Sequence, residues 1–202
     1  MVDYLVDLVN DAMGEEVVCE ELRRLRLCPI FKHKGDDKDP ANYRDVCLSG
    51  LVARLLGSVL AARLATFLVD MKTLPERQFG FQSGRNTIQA VLSAMISAKD
   101  AEVESQDYGV LYIDFRNAFP SMPHEVLETG LVQAGALGRT AAAIMGMVKQ
   151  SDIYASDGGW DGPDVRSHSG VTQGAPPSAL LFICGLASMS ACPVPPVVYA
   201  DD

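Results

Sequence analysis

Apolar residues recur at three- and four-residue intervals in several stretches of the chain. Leu51, Val52, Leu55, Leu56, Val59, Leu60, Leu64, Phe67 and Leu68 make one broad stripe, which predicts a helix over Leu51–Asp70. Ile88, Val91, Leu92, Met95 and Ile96 make a second helical series, with Asn86 or Thr87 as its N-cap. Pro123–Ala134, Arg139–Lys149 and Pro177–Met189 read as further helices, and Tyr4, Leu5, Leu8 and Val9 keep helical spacing on an acidic segment. Short apolar runs predict strands at Cys28–Phe31, Gly109–Asp114, Ile153–Ala155, Asp164–His168 and Pro196–Ala200. A basic turn is expected at Arg23, Arg24 and Arg26, a polar hairpin tip at residues 32–37 and a glycine-rich turn at residues 157–162. Residues 100–107 are a charged, structureless break, the best boundary between two lobes. Helices and strands alternate after it, which indicates an α+β or α/β second lobe.

Composition narrows the class. A chain of 202 residues with 48% hydrophobic and 21% charged side chains is globular, which excludes a disordered chain or a collagen-like fibre. The net charge of −9 argues at first against a nucleic-acid partner, but the charge is segregated. Residues 1–21 carry −7, residues 22–99 carry +7 and residues 100–202 carry −9. A basic block between acidic ones suits a protein that grips a polyanion with one lobe and a metal with the other; charge on solvated faces is the plainer reading. The five cysteines are odd in number and lack C-x-x-C spacing, which speaks against a disulfide framework or zinc site and for a reducing compartment. An acidic N-terminus is no signal peptide. The uncharged stretch Ser167–Val198 is strongly apolar only over Ala179–Ala187, too short for a membrane span, so a soluble protein with no membrane partner is expected.

The chemistry sits at strand ends. Val110-Leu111-Tyr112-Ile113 leads to Asp114, and Val197-Val198-Tyr199-Ala200 leads to the pair Asp201 and Asp202. Were the two strands neighbours, three carboxylates would converge, and unpaired they would raise one another's pKa. Divalent cations relieve that repulsion and suit phosphoryl transfer. Any one of these acids, taken alone, reads more simply as a solvated strand end.

Five segments, in order, resemble the motifs of reverse transcriptases. Tyr199-Ala200-Asp201-Asp202 is similar to the aromatic-Ala-Asp-Asp box, and Asp114 to Phe119 to the first catalytic box, Asp-x-x-x-Ala-aromatic. Gly170 to Ser178, running into Leu180-Leu181-Phe182, resembles the Gln-Gly-x-Pro box. Gln78 to Thr87 and Asn42-Tyr43-Arg44 with Leu48-Ser49 resemble fingers segments of the non-LTR, LINE-type branch. The resemblance covers roughly residues 25–202. It implies an α+β fold: the fingers and part of the palm of a right-hand polymerase, with a ferredoxin-like βαβ palm sheet and flanking helices. Residues 1–21 would be an acidic N-terminal helix, 22–105 the fingers and 106–202 the palm, ending after the Tyr-Ala-Asp-Asp box with the thumb missing.

By the same resemblance Asp114, Asp201 and Asp202 are the catalytic carboxylates. With the main-chain carbonyl of Phe115 they ligate two magnesium ions, for which manganese can substitute. Lys32, Arg44, Phe115, Phe119, Gln173 and Gly174 bind the incoming nucleotide, Phe119 as a steric gate against ribose. Lys34, Phe81, Gly84 and Arg85 contact template or primer. The implied partners are an RNA template, a DNA primer and deoxynucleoside triphosphates, with oligomeric state open; the expected location is a retroelement ribonucleoprotein in nucleus and cytoplasm. Pro120, Asp45 and Ala179 depart from the family's usual residues. The implied function is RNA-templated DNA synthesis, although the 202 residues alone, without a returning hairpin strand or thumb, are expected not to polymerise. The alternatives are a decayed or co-opted remnant that binds RNA, a group II intron or retron-type enzyme, and an unrelated two-metal phosphodiesterase.

Overall fold

The computed structural model describes residues 6–7, 10–11, 20–110, 112–157, 159–189 and 196–199. Most of the acidic N-terminal segment therefore lies outside the described residues, as do Asp201 and Asp202.

A one-turn helix α1 (Glu20–Arg23) passes directly into strand β1 (Arg24–Phe31). The expected basic turn is thus a strand, because Leu25 turns into the core while Arg24 and Arg26 alternate to the other face. β1 pairs antiparallel with β2 (Tyr43–Ser49), from Leu25↔Ser49 to Phe31↔Tyr43. Apolar alternation does not predict β2, because Arg44-Asp45 interrupts it. The tip between them is polar as expected. Lys32 N donates to Asn42 O at 2.8 Å, and Asp39 caps a single 3-10 turn at Pro40–Asn42.

Helix α2 occupies Leu51–Asp70 and α3 Thr87–Val103, the latter opened by Asn86 in a reciprocal capping box with Gln89. After α4 (Ala118–Ser121) come α5 (His124–Gln133), α6 (Arg139–Lys149) and α7 (Ser178–Met189). Strand β3 (Asp152–Asp157) lies parallel to β1, with Leu25↔Ile153, and carries two short antiparallel partners, β4 (Trp160–Asp161) and β5 (Val165–Arg166). The sheet order is β2-β1-β3-β4, with β5 also on β3.

The core gathers Leu56, Leu60, Leu64 and Leu68 of α2 with Leu127 and Leu131 of α5, Ile144 of α6 and Leu181 to Cys184 of α7. Each such fully buried side chain contributes about 1.5–3 kcal/mol relative to exposure. Helices α5 and α7 cross so closely that a Cβ on Gly130 would overlap the carbonyl of Cys184. By length and composition α2 could cross a membrane, but every third or fourth residue of it is packed in this core.

Three expectations need correction. The apolar series on α3 is solvent-facing: Ile88, Val91, Leu92, Met95 and Ile96 are 49–70% exposed, and only Ala90 and Ala101 are buried. Helical spacing fixes the secondary structure, while the covered face depends on tertiary anchors. Here the anchor is Arg77, whose guanidinium donates to Ser93 and Ser97 on α3. Second, the break at 100–107 is half helical, since α3 runs to Val103.

Third, the expected strand Gly109–Asp114 does not form over its described residues; residues 106–110 and 112–115 are neither helix nor strand, and Tyr112 is 89% exposed. A strand needs a partner for its backbone groups. The described part of the other candidate strand pairs elsewhere: Val198 N donates to Arg77 O at 3.0 Å, and Phe79 N donates to Val198 O at 2.8 Å.

The sheet is tied to α1 through Asp152, which is 8% exposed. Arg166 donates to both its oxygens, at 2.6 and 3.2 Å, and Arg23 Nε stands 3.2 Å away. The Arg166 hydrogen bond, aided by the charges of Arg166, Arg23 and Arg24, holds this carboxyl below the usual carboxylate range against the opposing effect of burial. A carboxyl whose pKa is lower folded than unfolded stabilises fully above the unfolded value of about 3.9, and that stability is lost as pH falls through the folded value. Asp152→Asn should therefore cost about 2 kcal/mol at pH 7, and its deficit should shrink as urea unfolding is repeated below about pH 4. A deficit independent of pH would show that the charge is not what matters.

Candidate active site

Backbone zipping joins the loops that carry the candidate residues. The Gln173 segment docks on the free edge of β2: Gln173 O accepts from Cys47 N at 2.8 Å, and Val46 and Gln173 form a parallel bridge. Gly174 has φ +105°, and a Cβ there would sit 2.8 Å from Cys47 O, so both backbone angle and close approach require glycine. Gln173 and Gly174 thus lie against the strand that carries Arg44. Beneath them Cys47 is buried, and burial pushes its thiol up to about 11, so it packs as a neutral group.

A second zipper holds the loop before α5. Val171 N donates to Phe119 O at 2.9 Å, Gly170 N to Met122 O at 2.7 Å, and Ser169 Oγ to Pro120 O at 3.1 Å. His124 is buried with Nε2 3.1 Å from Gly170 O, which locks the start of α5 to the same segment. Sequence reasoning missed His124; a lone histidine after a proline carries no spacing signal.

Aromatic rings link a third segment. The ring of Phe119 stacks on Phe182 of α7 at 4.7 Å and meets Phe81 edge-to-face at 5.9 Å. Phe81, with φ +55°, is half exposed beside it. Phe119, Phe81, Gln173, Gly174 and the β2 residue Arg44 therefore belong to one connected set of loops.

The other candidates sit apart from that set. Lys32 Nζ donates to Ala41 O at the hairpin tip, where Lys34 is also exposed. Arg85 donates to the carbonyls of Glu76 and Gln78, and its guanidinium lies 5.5 Å from the ring of Phe79; it braces its own loop. Gly84 has φ +76° and open space around it.

Asp114 and Phe115 are exposed just before the left-handed Asn117 that starts α4. The Asp114 carboxylate has no hydrogen-bond or ion-pair partner among the described residues, which leaves it available as a hard oxygen donor. Among the described residues no three His, Cys, Asp or Glu side chains cluster for a metal. Asp201 and Asp202 lie outside them. Magnesium takes one or two protein carboxylates and completes its shell with water and substrate phosphates, so one free carboxylate at this position fits such an ion.

Comparison with known proteins points to the same family. Residues 32–202 match the family model for reverse transcriptase (RNA-dependent DNA polymerase). A retrovirus-related Pol polyprotein from the type-1 retrotransposable element R2 of Popillia japonica is 26% identical over 190 residues, covering 86% of this chain and 26% of that protein. The probable RNA-directed DNA polymerases from transposon X-element and transposon BS of Drosophila melanogaster are 28% identical over 108 residues and 23% identical over 124, covering 52% and 61% of this chain. The chain spans 12%, 14% and 26% of the lengths of these three relatives. With most of its length matched and the ordered motifs falling in the matched span, the chain belongs to the reverse transcriptase (RNA-dependent DNA polymerase) family, in its non-LTR retrotransposon branch.

Proposed function

We propose that this chain supplies the fingers and the first half of the palm of an enzyme that copies RNA into DNA by two-metal nucleotidyl transfer. The observation that carries the reading is the junction of Phe119, Gln173 and β2: three motifs far apart in sequence share one backbone-zipped unit. Asp114, with Asp201 and Asp202, would hold the cations through carboxylate oxygens, and Phe115 would contribute its main-chain carbonyl. When bound, two magnesium ions, or manganese in their place, lower the pKa of a primer 3′-hydroxyl and neutralise the charge on attacking and leaving oxygens. Arg44 offers a forked guanidinium to the triphosphate and Lys32 a point charge. Gln173 donates to the incoming nucleotide from a loop whose position Gly174 and Cys47 fix. Phe119 presents an aromatic edge to the sugar, with its face committed to Phe182, so a 2′-hydroxyl meets a ring that cannot swing away. Lys34, Phe81 and Gly84 border template and primer, and Arg85 acts there by shaping the loop. The enzyme works in a retroelement ribonucleoprotein that moves between cytoplasm and nucleus.

The test is primer extension on an RNA template with deoxynucleotides and magnesium. It is run on the protein encoded by the open reading frame that contains this chain, and in parallel on the 202 residues alone. Extension by the former should fall about 10³-fold in Asp114→Asn, equivalent to roughly 4 kcal/mol of transition-state stabilisation. The 202 residues alone should give none. Extension that survives Asp114→Asn at the parental rate would remove the proposed chemistry.

A further inference from the structure

The face of the sheet turned away from Cys47 carries a cleft that none of the residues given a catalytic, nucleotide or template role lines. It encloses about 630 Å³ between Arg24 and Arg26 of β1, Leu48 and Ser49 of β2, Gly50, Arg54 of α2 and Tyr154 of β3. Register explains the grouping. Arg26 pairs with Leu48 on one side and Tyr154 on the other, so the three side chains stand in a row across the sheet. Arg24, two residues earlier, lies on the same face. Its guanidinium covers the Tyr154 ring at 4.2 Å and is held by Asp164 at 3.0 Å.

The charges in the cleft differ in their accounts. Asp164 compensates Arg24, and Asp161 lies close enough to favour its charged form. Arg26 and Arg54 are exposed and have no ion-pair partner among the described residues. Among the described residues no acid lines the cleft. In a chain of net charge −9, two uncompensated guanidinium groups beside a fixed third are a local exception that overall electrostatics does not explain.

We propose that this cleft binds the phosphodiester backbone of single-stranded RNA. Arginine forks match phosphate oxygens bidentately, and the cleft is an open trough suited to a strand running through it. Arg24 and Arg26 stand about 6.6 Å apart along the strand, comparable to the spacing of successive phosphates in an extended single strand. Arg44, opposite Ile30, shares this face of the β1–β2 ladder about 13 Å beyond Arg26, so the trough and the residue assigned to the triphosphate lie on one face of the sheet. The identification of the polyanion as RNA rests on the polymerase reading above.

The experiment measures binding of a labelled oligouridine of about a dozen nucleotides to the purified chain in EDTA, over a salt series. Arg26→Gln/Arg54→Gln should weaken binding at least 10-fold at low salt and flatten the log–log salt slope by about 1.4, the loss of two phosphate contacts. A matched loss of two positive charges, Lys99→Gln/Lys149→Gln on exposed faces of α3 and α6, should weaken it less than about twofold. Equal weakening in the two pairs would mean that only net charge matters, and would overturn the site. Displacement of RNA by millimolar ATP or inorganic phosphate, with no dependence on RNA length, would assign the trough to a free phosphate compound and overturn it equally. Unchanged thermal melting of both variants verifies that the fold is intact. Asp114→Asn should leave this binding unaltered, so loss of extension with intact trough binding retires the polymerase chemistry alone, and the reverse pattern retires the trough alone.

Discussion

Gly170→Ala should be among the most damaging single substitutions in this chain, costing about 2–5 kcal/mol in urea unfolding. Two penalties act together there. Gly170 has φ +77°, where a side chain costs roughly 1–2 kcal/mol, and the new Cβ would overlap the carbonyl of Pro120. The overlapped atom is backbone held by the zipper to Ser169 and Val171, so relief requires moving main chain, typically another 1–3 kcal/mol. A global stability of 5–15 kcal/mol leaves little margin for that.

Gly84→Ala separates the two terms. Gly84 has nearly the same φ, +76°, with nothing within 4 Å of the added carbon, so only the conformational cost of roughly 1–2 kcal/mol remains. The difference between the variants measures the close approach at Pro120. Equal costs would mean that the loop before α5 yields easily, and that the positions of Phe119 and Gln173 are not set by this zipper.

The helices were legible in the sequence because their signals are local. Leu51–Asp70 and Arg139–Lys149 form over the residues that spacing indicates, and Asn86 caps α3 as its side chain permits. What escaped were features decided by distant partners. β2 exists because seven consecutive residues find β1, and Arg44-Asp45 hides that from any apolar count. Gly109–Asp114 has a strand's composition, but no described segment pairs with it, and Val198 bonds to Arg77 and Phe79 instead. The α3 stripe had the right period and the wrong destination. Exposure of that face is set by the hydrogen bonds of Arg77 to Ser93 and Ser97, which no periodicity encodes. The candidate site divides in the same way. The motif order announced Phe119 and Gln173, and Gly170 and Phe182 as members of the same box, while His124, which locks that segment to the start of α5, is an ordinary residue until the fold brings it to Gly170.

The carboxylates offer the second large effect. If Asp114 and Asp201 hold divalent ions, metal binds the folded chain and not the unfolded one, and folding is stabilised by mass action. At a metal concentration about 100 times the dissociation constant the gain is ~2.7 kcal/mol. For a chain of this size each kcal/mol moves the melting temperature by about 2–4 °C, so magnesium should raise it by roughly 5–10 °C. Asp114→Asn should reduce the shift to a small remainder, and Asp114→Asn/Asp201→Asn should abolish it. In EDTA the single variant should melt with the parent, because the exposed Asp114 carboxylate has no partner among the described residues to lose. That control matters, since a variant destabilised without metal would be reporting on structure. The seven acids in residues 1–21 can also attract cations, but they are intact in both variants and cannot account for a difference between them. A metal-dependent shift of undiminished size in the double variant would detach these two aspartates from the metal and with it dismiss the two-metal assignment.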